Sequence, residues 1–458
     1  MATANPYYPD RNQSDRETGE HMIRLANVLI VDGNSSRAAS LKERMAKGGY
    51  HASLAGDFSD GTKLARSEHP DLILIGEPTG VDAVAFGLGL KKDPVTSDIP
   101  VVVYADQPDA ALCTRAVDAN LDDVLAYGCD DTELYSRMRP LVRLATMHSE
   151  LRQRAETARR FGIQARDRVD GSEAGQMPAI LVVGDNSASV CQTLDGVGEI
   201  TRCQSLFEAE DVLGKRNFDA AILAFSEEPE GVLAFCTQVR NNPRLFNLPM
   251  VLLAGLATDP VDAYRRGATR VLRRPVDGEI LRSAVVTLVR RQQLRWSVRG
   301  ALNDSLQGAT KDDLTGAYGR AFLDSYLENR IKAAQAQGRH LSVVVFSAPN
   351  IDEVRRQFGE DAALHLTQQL AQWITGLLRA EDITAAYKAN EFCVVLPDTP
   401  LSEAEIVMHR IAGVLAYTDF AVRDVYQPVK VWVQVGSTDI RDDDDLSSVL
   451  ARARNPQQ

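Results

Sequence analysis

The stretch NVLIVDGN at residues 27–34 returns as AILVVGDN at residues 179–186. Each is a short apolar run that ends at an Asp/Gly pair, Asp32-Gly33 in the first and Gly184-Asp185 in the second, and gives way to a segment with helical spacing. Further runs follow in the same order in both places. DLILIG (71–76) is answered by FDAAILAF (218–225), IPVVVYA (99–105) by LPMVLLA (248–254), and DDVLAY (122–127) by GATRVLRRP (267–275). Short continuous apolar strands alternating with helices predict a parallel sheet buried on both faces. A repeat of about 150 residues is too long for a solenoid and means two domains of one fold. Each copy closes on a long polar helix, about 133–168 with Pro140 near its start and about 277–308. Arg290, Arg291, Arg295 and Arg299 on the second read as a solvated stalk between domains.

The order of elements changes after Lys311. KDDLTGAYGR (311–320) precedes a strand LSVVVFSA (341–348), a helix over 363–378, a hairpin-like pair over 383–397, a helix over 402–417 and a strand VKVWVQVGS (429–437). This is an α+β pattern. Leu370, Trp373 and Leu377 share helical spacing and read as core. The acid run in RDDDDLSSVLARARNPQQ (441–458) reads as a solvated loop, because like charges repel and stay exposed. The expected division is a polar tail at 1–24, where Met22 is an alternative start, domains at 25–148 and 177–296 joined by a helical linker at 149–176, and a third domain at 297–458.

Composition bounds the function. The chain has 458 residues, 44% hydrophobic and 25% charged, which fits about three folded domains and excludes a wholly disordered chain. A net charge of −12 argues against a bulk surface that binds nucleic acid or anionic membrane. No run of 18 apolar residues occurs and the first 22 residues have no apolar core, so membrane insertion and a signal peptide are not expected and the location reads as cytoplasmic. Cys113, Cys129, Cys191, Cys203, Cys236 and Cys393 form no CxxC pair or His/Cys cluster and read as reduced, mostly buried thiols.

The two repeats resemble response-regulator receiver domains. KDDLTGAYGR and LRAEDITAAYKANEFCVVLPDTPL (378–401) resemble the GGDEF domain of diguanylate cyclases. The order receiver, receiver, GGDEF resembles that of PleD-type regulators over most of residues 25–450. The resemblance implies two flavodoxin-like doubly wound sheets followed by a nucleotidyl-cyclase-type α+β domain.

Receivers of this kind hold Mg²⁺ on an acid pair and phosphorylate an Asp after the third strand, because a hard cation wants carboxylates and the new phosphate wants a cation and a hydroxyl. The resemblance places the acceptor at Gly76 and Ala224, the hydroxyl at Tyr104 and Ala254, and the Lys-Pro pair at Tyr127-Gly128 and Arg274-Pro275. No phosphoacceptor is therefore expected in either copy. Glu77 beside Gly76 reads as a surface-loop residue. The GGDEF signature aligns with Lys388-Ala389-Asn390-Glu391-Phe392, the first metal position with Ser347, and the guanine-reading positions with Arg355 and Leu364. Only Glu391 keeps a metal-ligand type, so no catalytic residue and no bound metal are expected. The end of the chain is expected to lack the family's last helix.

One set does survive. Arg379-x-x-Asp382 lies nine residues before Lys388, the register of the family's product site, and the third ligand of that site falls at Arg410. A guanidinium fork meets guanine O6/N7 or phosphate oxygens, and a carboxylate accepts from guanine N1–H and N2–H₂. The expected ligand is cyclic di-GMP. An i,i+3 Arg/Asp pair by itself is weak; Arg115/Asp118 and Arg441/Asp444 have the same spacing. The resemblance therefore implies a non-catalytic cyclic di-GMP effector, a homodimer through its receivers, that recruits an adaptor or protease substrate to the ClpXP protease at a cell pole in cell-cycle control. The alternatives are a weakly active diguanylate cyclase using GTP and a ligand-independent dimeric scaffold.

Overall fold

Runs of apolar residues with no polar edge must be covered on both sides, and this governs the first two lobes. The computed structural model describes residues 25–76, 82–169, 177–226, 229–423 and 425–455. The tail read at 1–24, including Met22, and the loop residue Glu77 lie outside them. In the first lobe, β1 (Asn27–Val31), β2 (His51–Ala55), β3 (Leu72–Ile75), β4 (Val101–Ala105) and β5 (Asp123–Ala126) form a parallel sheet of order β2-β1-β3-β4-β5. Helices α1 (Ser35–Lys47), α2 (Phe58–Glu68), α3 (Ala83–Lys92), α4 (Ala110–Asp118) and α5 (Asp131–Arg159) alternate with the strands. Asn34, Asp57, Asp109 and Asp130 cap α1, α2, α4 and α5 by accepting from backbone N–H groups of the first turn.

The second lobe repeats this plan. Strands β6 (Ala179–Val183), β7 (Glu199–Cys203), β8 (Ala220–Leu223), β9 (Met250–Ala254) and β10 (Arg270–Arg273) take the order β10-β9-β8-β6-β7, which is the first sheet's order read from the other edge. Between them run α6 (Ser187–Thr193), α7 (Leu206–Lys215), α8 (Pro229–Asn241), α9 (Pro260–Arg265) and α10 (Gly278–Leu302). The third lobe has a mixed sheet, β11-β13-β14-β12-β17, built from β11 (Tyr318–Gly319), β12 (Leu341–Ser347), β13 (Ile383–Lys388), β14 (Glu391–Pro397) and β17 (Gln434–Asp439). Helices α12 (Ile351–Phe358), α13 (Glu360–Gly376) and α14 (Leu401–Tyr417) cover one face, and α11 (Arg320–Gln337) and α15 (Leu446–Arg454) cover the other. The expected fold class is the one observed: two parallel flavodoxin-like α/β sheets and then a mixed α+β domain.

Several local expectations need correction. The strand read over 429–437 is broken: β16 (Val429–Lys430) pairs with β15 (Asp419–Phe420), and only after Val433 does the chain reach the central sheet as β17. The acid run is not simply a solvated loop. The Asp444 carboxylate receives the Arg452 guanidinium and the Ser448 hydroxyl, and Asp445 caps α15, a final helix that was not expected. Trp373 is 41% exposed, because Leu370 and Ile374 take the inward face of α13 and the indole is left edge-on to Phe420. Cys203, Cys236 and Cys393 are buried, but Cys113, Cys129 and Cys191 are only half-buried.

The two long polar helices are likewise not solvated. Helix α5 runs unbroken past residue 149 despite Pro140 and buries one stripe after another against its neighbours. The first two lobes meet through equivalent elements: α4 meets α10, α5 meets α9, and α5 meets α10. Arg290 donates to the carbonyls of Val117 and Leu121, so it is an interface residue rather than part of a stalk. Asp123, buried at the seam, binds Arg137 of its own lobe and Arg270 of the second. Burial alone would raise its pKa, but the two guanidiniums outweigh that and hold it well below the usual carboxylate range.

The first lobe also docks directly on the third. Glu150 of α5 has no exposed surface; it accepts from Tyr326 Oη at 2.5 Å and pairs with Arg330 Nε at 3.2 Å, both on α11. Arg339 bridges Asp71 of the first lobe (3.0 Å) and Asp398 of the third (2.8 Å), and Thr146 donates to Asp398 at 2.9 Å. Removing one member of a buried ion network strands the others, at a cost of about 3 kcal/mol. Glu150→Gln is therefore expected to lower stability by about that amount. In urea unfolding, the transitions of the first and third lobes are expected to separate where the parent chain's coincide.

Candidate functional site

At the end of β1, Asp32 is buried and already fully engaged. It accepts from Arg37 Nε (2.6 Å) and Nη2 (3.0 Å), from Tyr104 Oη (2.6 Å) and from the Asn34 amide (2.8 Å). Burial works to raise its pKa, but the Arg37 and Tyr104 hydrogen bonds dominate and hold it below the ordinary value. Gly76, the residue at the expected acceptor position, lies against this cluster. A Cβ there would stand 2.4 Å from Asp32 Oδ2 and 2.8 Å from Tyr104 Oη, so the pocket as packed has no room for a carboxylate side chain. In the second lobe Asp185 is exposed and accepts from the amides of Asn186 and Ser226. Gly184 has φ +122°, and a Cβ on it would meet the Ala224 carbonyl oxygen at 2.4 Å. Ala224 itself is fully buried.

The signature residues form the β13–β14 turn. Lys388 opposes Glu391, and Glu391 opposes Ser347 at the end of β12. Glu391 accepts from Lys388 Nζ (3.1 Å) and from Arg454 Nε of α15 (3.1 Å). Arg355 is tied to Asp352 and, at 2.8 Å, to Glu360, and Leu364 is half-buried on α13. A divalent ion needs several oxygen donors, preferably anionic. Ser347, Asn390 and Glu391 supply one carboxylate, and that carboxylate is shared by two cations. This donor set does not fit a two-metal site, and no group of three metal-ligating side chains occurs among the described residues.

The Arg379–Asp382 segment links α13 to β13 and closes on itself. Asp382 Oδ2 accepts the Arg379 amide at 2.8 Å. Arg410, on the exposed side of α14, donates to the Leu377 carbonyl at 2.9 Å, so all three expected ligand residues converge on one short loop. Their roles differ in reach. Arg410 is exposed and Arg379 half-buried, but Asp382 is only 9% exposed and turns its carboxyl inward. Burial, and then the neighbouring Glu381 carboxylate, push the Asp382 pKa up to about 7.

The loop sits where the three lobes meet. Arg143 of α5 pairs with Glu381 at 2.7 Å and reaches Asn247 of the second lobe at 3.2 Å. Arg154 of α5 lies against the loop backbone. Arg295 of α10 lies near Arg143 and Glu381; burial, and then Arg143, lower its pKa to about 10. Motif reading missed Arg143, Arg154 and Glu381. A signal was there: Arg143, Glu150 and Arg154 are spaced by seven and four, which puts them on one face of a helix.

Residues 309–456 match the family described as diguanylate cyclase, GGDEF domain. The chain is 27% identical over 440 residues to the response regulator PleD of Caulobacter vibrioides, covering 93% of this chain and 95% of that protein. It is 26% identical over 152 residues to the diguanylate cyclase DgcP of Pseudomonas aeruginosa, covering 33% and 22%. Among solved structures, the GGDEF domain of DgcB from Caulobacter crescentus, in complex with c-di-GMP, is similar at 19% identity and a TM-score of 0.31, over 32% of this chain and 84% of that one. The third lobe thus matches the GGDEF family over residues 309–456, two receiver-like lobes precede it, and the chain as a whole is similar to PleD.

Two outcomes are expected. Incubation with acetyl phosphate is expected to leave the intact mass unchanged if, as the resemblance implies, the acceptor positions carry Gly76 and Ala224; a gain of one phosphate on Asp32 or Asp185 would contradict this. The second concerns pH. Between about 4 and 7 the folded chain keeps a proton on Asp382 that the unfolded chain has released, so this group's contribution to stability falls as pH rises through that window. Asp382→Asn removes the dependence. In thermal melts, the stability of the variant relative to the parent is expected to rise from pH 4 to pH 7 and level off above it.

Proposed function

We propose that the protein is a non-catalytic cyclic di-GMP effector, binding the dinucleotide at Arg379, Asp382 and Arg410. The observation that carries this reading is the convergence of those three residues on one loop at the junction of all three lobes. Their chemistry suits the ligand. Two guanidiniums offer planar forks to guanine edges and phosphodiester oxygens, and a carboxylate offers acceptors to guanine N1–H and N2–H₂. The signature hairpin supports the non-catalytic half: Lys388 and Arg454 close on the one acidic residue left there. Losing several groups that stabilise charge in a transition state compounds, at about 10²–10³ in rate for each.

A loop clasped by three lobes is also a place from which ligand binding can alter their arrangement, and so the surface shown to partners. We extend the proposal to a PopA-like role within the PleD-type group. It makes the chain a cytoplasmic recruiter at the cell pole, which brings an adaptor or protease substrate to ClpXP. A homodimer through the receivers would use faces other than α4–β5–α5 and α9–β10–α10, because those are paired within the chain.

Isothermal titration is the test. Cyclic di-GMP is expected to bind at about 1 μM or tighter, near −8 kcal/mol, and Arg379→Ala to weaken binding at least tenfold. Incubation with GTP is expected to yield no cyclic di-GMP. Turnover of GTP would favour the weakly active cyclase, and neither binding nor turnover would leave a scaffold.

A further inference from the structure

The loop that carries Arg379 and Asp382 is fastened to the first receiver-like lobe. Arg154 of α5 is 3% exposed, and its Nη2 lies within hydrogen-bond distance of three consecutive carbonyl oxygens: Ala380 (3.3 Å), Glu381 (2.5 Å) and Asp382 (3.1 Å). Arg143, eleven residues earlier on α5, takes the Glu381 carboxylate. Ala380 packs into a cluster that includes Leu144, Met147 and Leu151 of α5 and Val298 and Leu302 of α10. Backbone, side chain and apolar contact therefore all press the loop onto α5. The consequence falls on Asp382. One carboxyl oxygen is taken by the Arg379 amide, and the other is buried with no hydrogen-bond partner among the described residues. While the loop stays docked, a purine edge meets a carboxyl with one oxygen occupied and the other buried.

Resting on the reading that this loop binds cyclic di-GMP, we propose that α5 is an autoinhibitory clamp on the dinucleotide site: Arg154 and Arg143 hold the 379–382 loop shut, and the ligand binds only when the loop lets go of α5. Ligand binding and loop docking then exclude each other. The apparent dissociation constant is the intrinsic one divided by the fraction of molecules with the loop released. By reciprocity, the ligand loosens the grip of the first lobe on the GGDEF domain. Glu381 is the loop's side-chain hold on α5, because its carboxylate pairs with Arg143 in the docked state.

Two variants with opposite charge changes test this. Arg154→Met removes a positive charge and the grip on three carbonyls. Glu381→Gln removes a negative charge and weakens the link to Arg143. Simple attraction of an anionic ligand would make the first bind more weakly and the second more tightly. The clamp makes both bind more tightly. Isothermal titration of the full chain with cyclic di-GMP is expected to show dissociation constants at least threefold lower for each variant than for the parent. Arg154→Lys, which keeps the charge and loses the fork, replaces Arg154→Met if circular dichroism shows that the methionine variant is misfolded, and the same tightening is expected. Glu405→Gln on α14 controls for charge alone and is expected to change binding less than twofold.

If the parent binds and the Arg154 variant binds equally or more weakly, the clamp is overturned while the ligand site stands. If the parent is silent and the Arg154 variant binds, the clamp is supported in its strongest form. If no folded variant binds, the ligand reading itself falls, and the clamp falls with it.

Discussion

The arrangement of this molecule depends on a carboxylate with no access to water. Glu150 sits within the α5–α11 interface, with a tyrosine hydroxyl and two guanidiniums around it. Burying such a charge is costly unless its partners are held in place, and here the partners belong to two lobes. Neither lobe satisfies the group alone. Arg339 repeats the device a short way off, with one carboxylate from each lobe. Together these contacts set how α5 lies on the third lobe. That in turn puts Arg143 and Arg154 over the 379–382 loop.

A second theme is self-neutralisation. At the end of β1, Asp32 is gripped by Arg37, whose guanidinium also lies 5.7 Å from the centre of the Tyr104 ring and 5.9 Å from that of Tyr127. On the signature hairpin, Glu391 is shared by Lys388 and Arg454. Both carboxylates stand where the family resemblance expects a divalent ion, and in both places cations of the chain itself supply the positive charge. A guanidinium or ammonium tethered to the backbone is always present at its site, so each carboxylate has a charge partner within the chain.

The sheets were legible because uninterrupted apolar runs such as LILI at 72–75 allow few other readings, and their duplication fixed the repeat of the first two lobes. The resemblance put Arg379, Asp382 and Arg410 in the register of a product site; the fold brings them to one loop and turns Asp382 inward. The interfaces were not legible. Arg290 and Arg154 look like solvated residues of polar helices, since a sequence does not say which arginine will find carbonyls or carboxylates on another lobe. Asp444 and Asp445 were misread for a related reason: one is an ion-pair partner and the other a helix cap, and those roles depend on Arg452 and Ser448 folding back in space. The strand at 429–437 failed because alternating apolar residues do not reveal a change of sheet partner.

The pairing of the two receiver-like lobes has one more consequence. The α4–β5–α5 face of one meets the matching α9–β10–α10 face of the other, and both belong to a single polypeptide. Association of two free domains weakens on dilution, whereas tethered ones see each other at an effective concentration of about millimolar whatever the cellular copy number. Their union is thus independent of expression level. Such a built-in pair behaves as a fixed chassis rather than an inducible coupling.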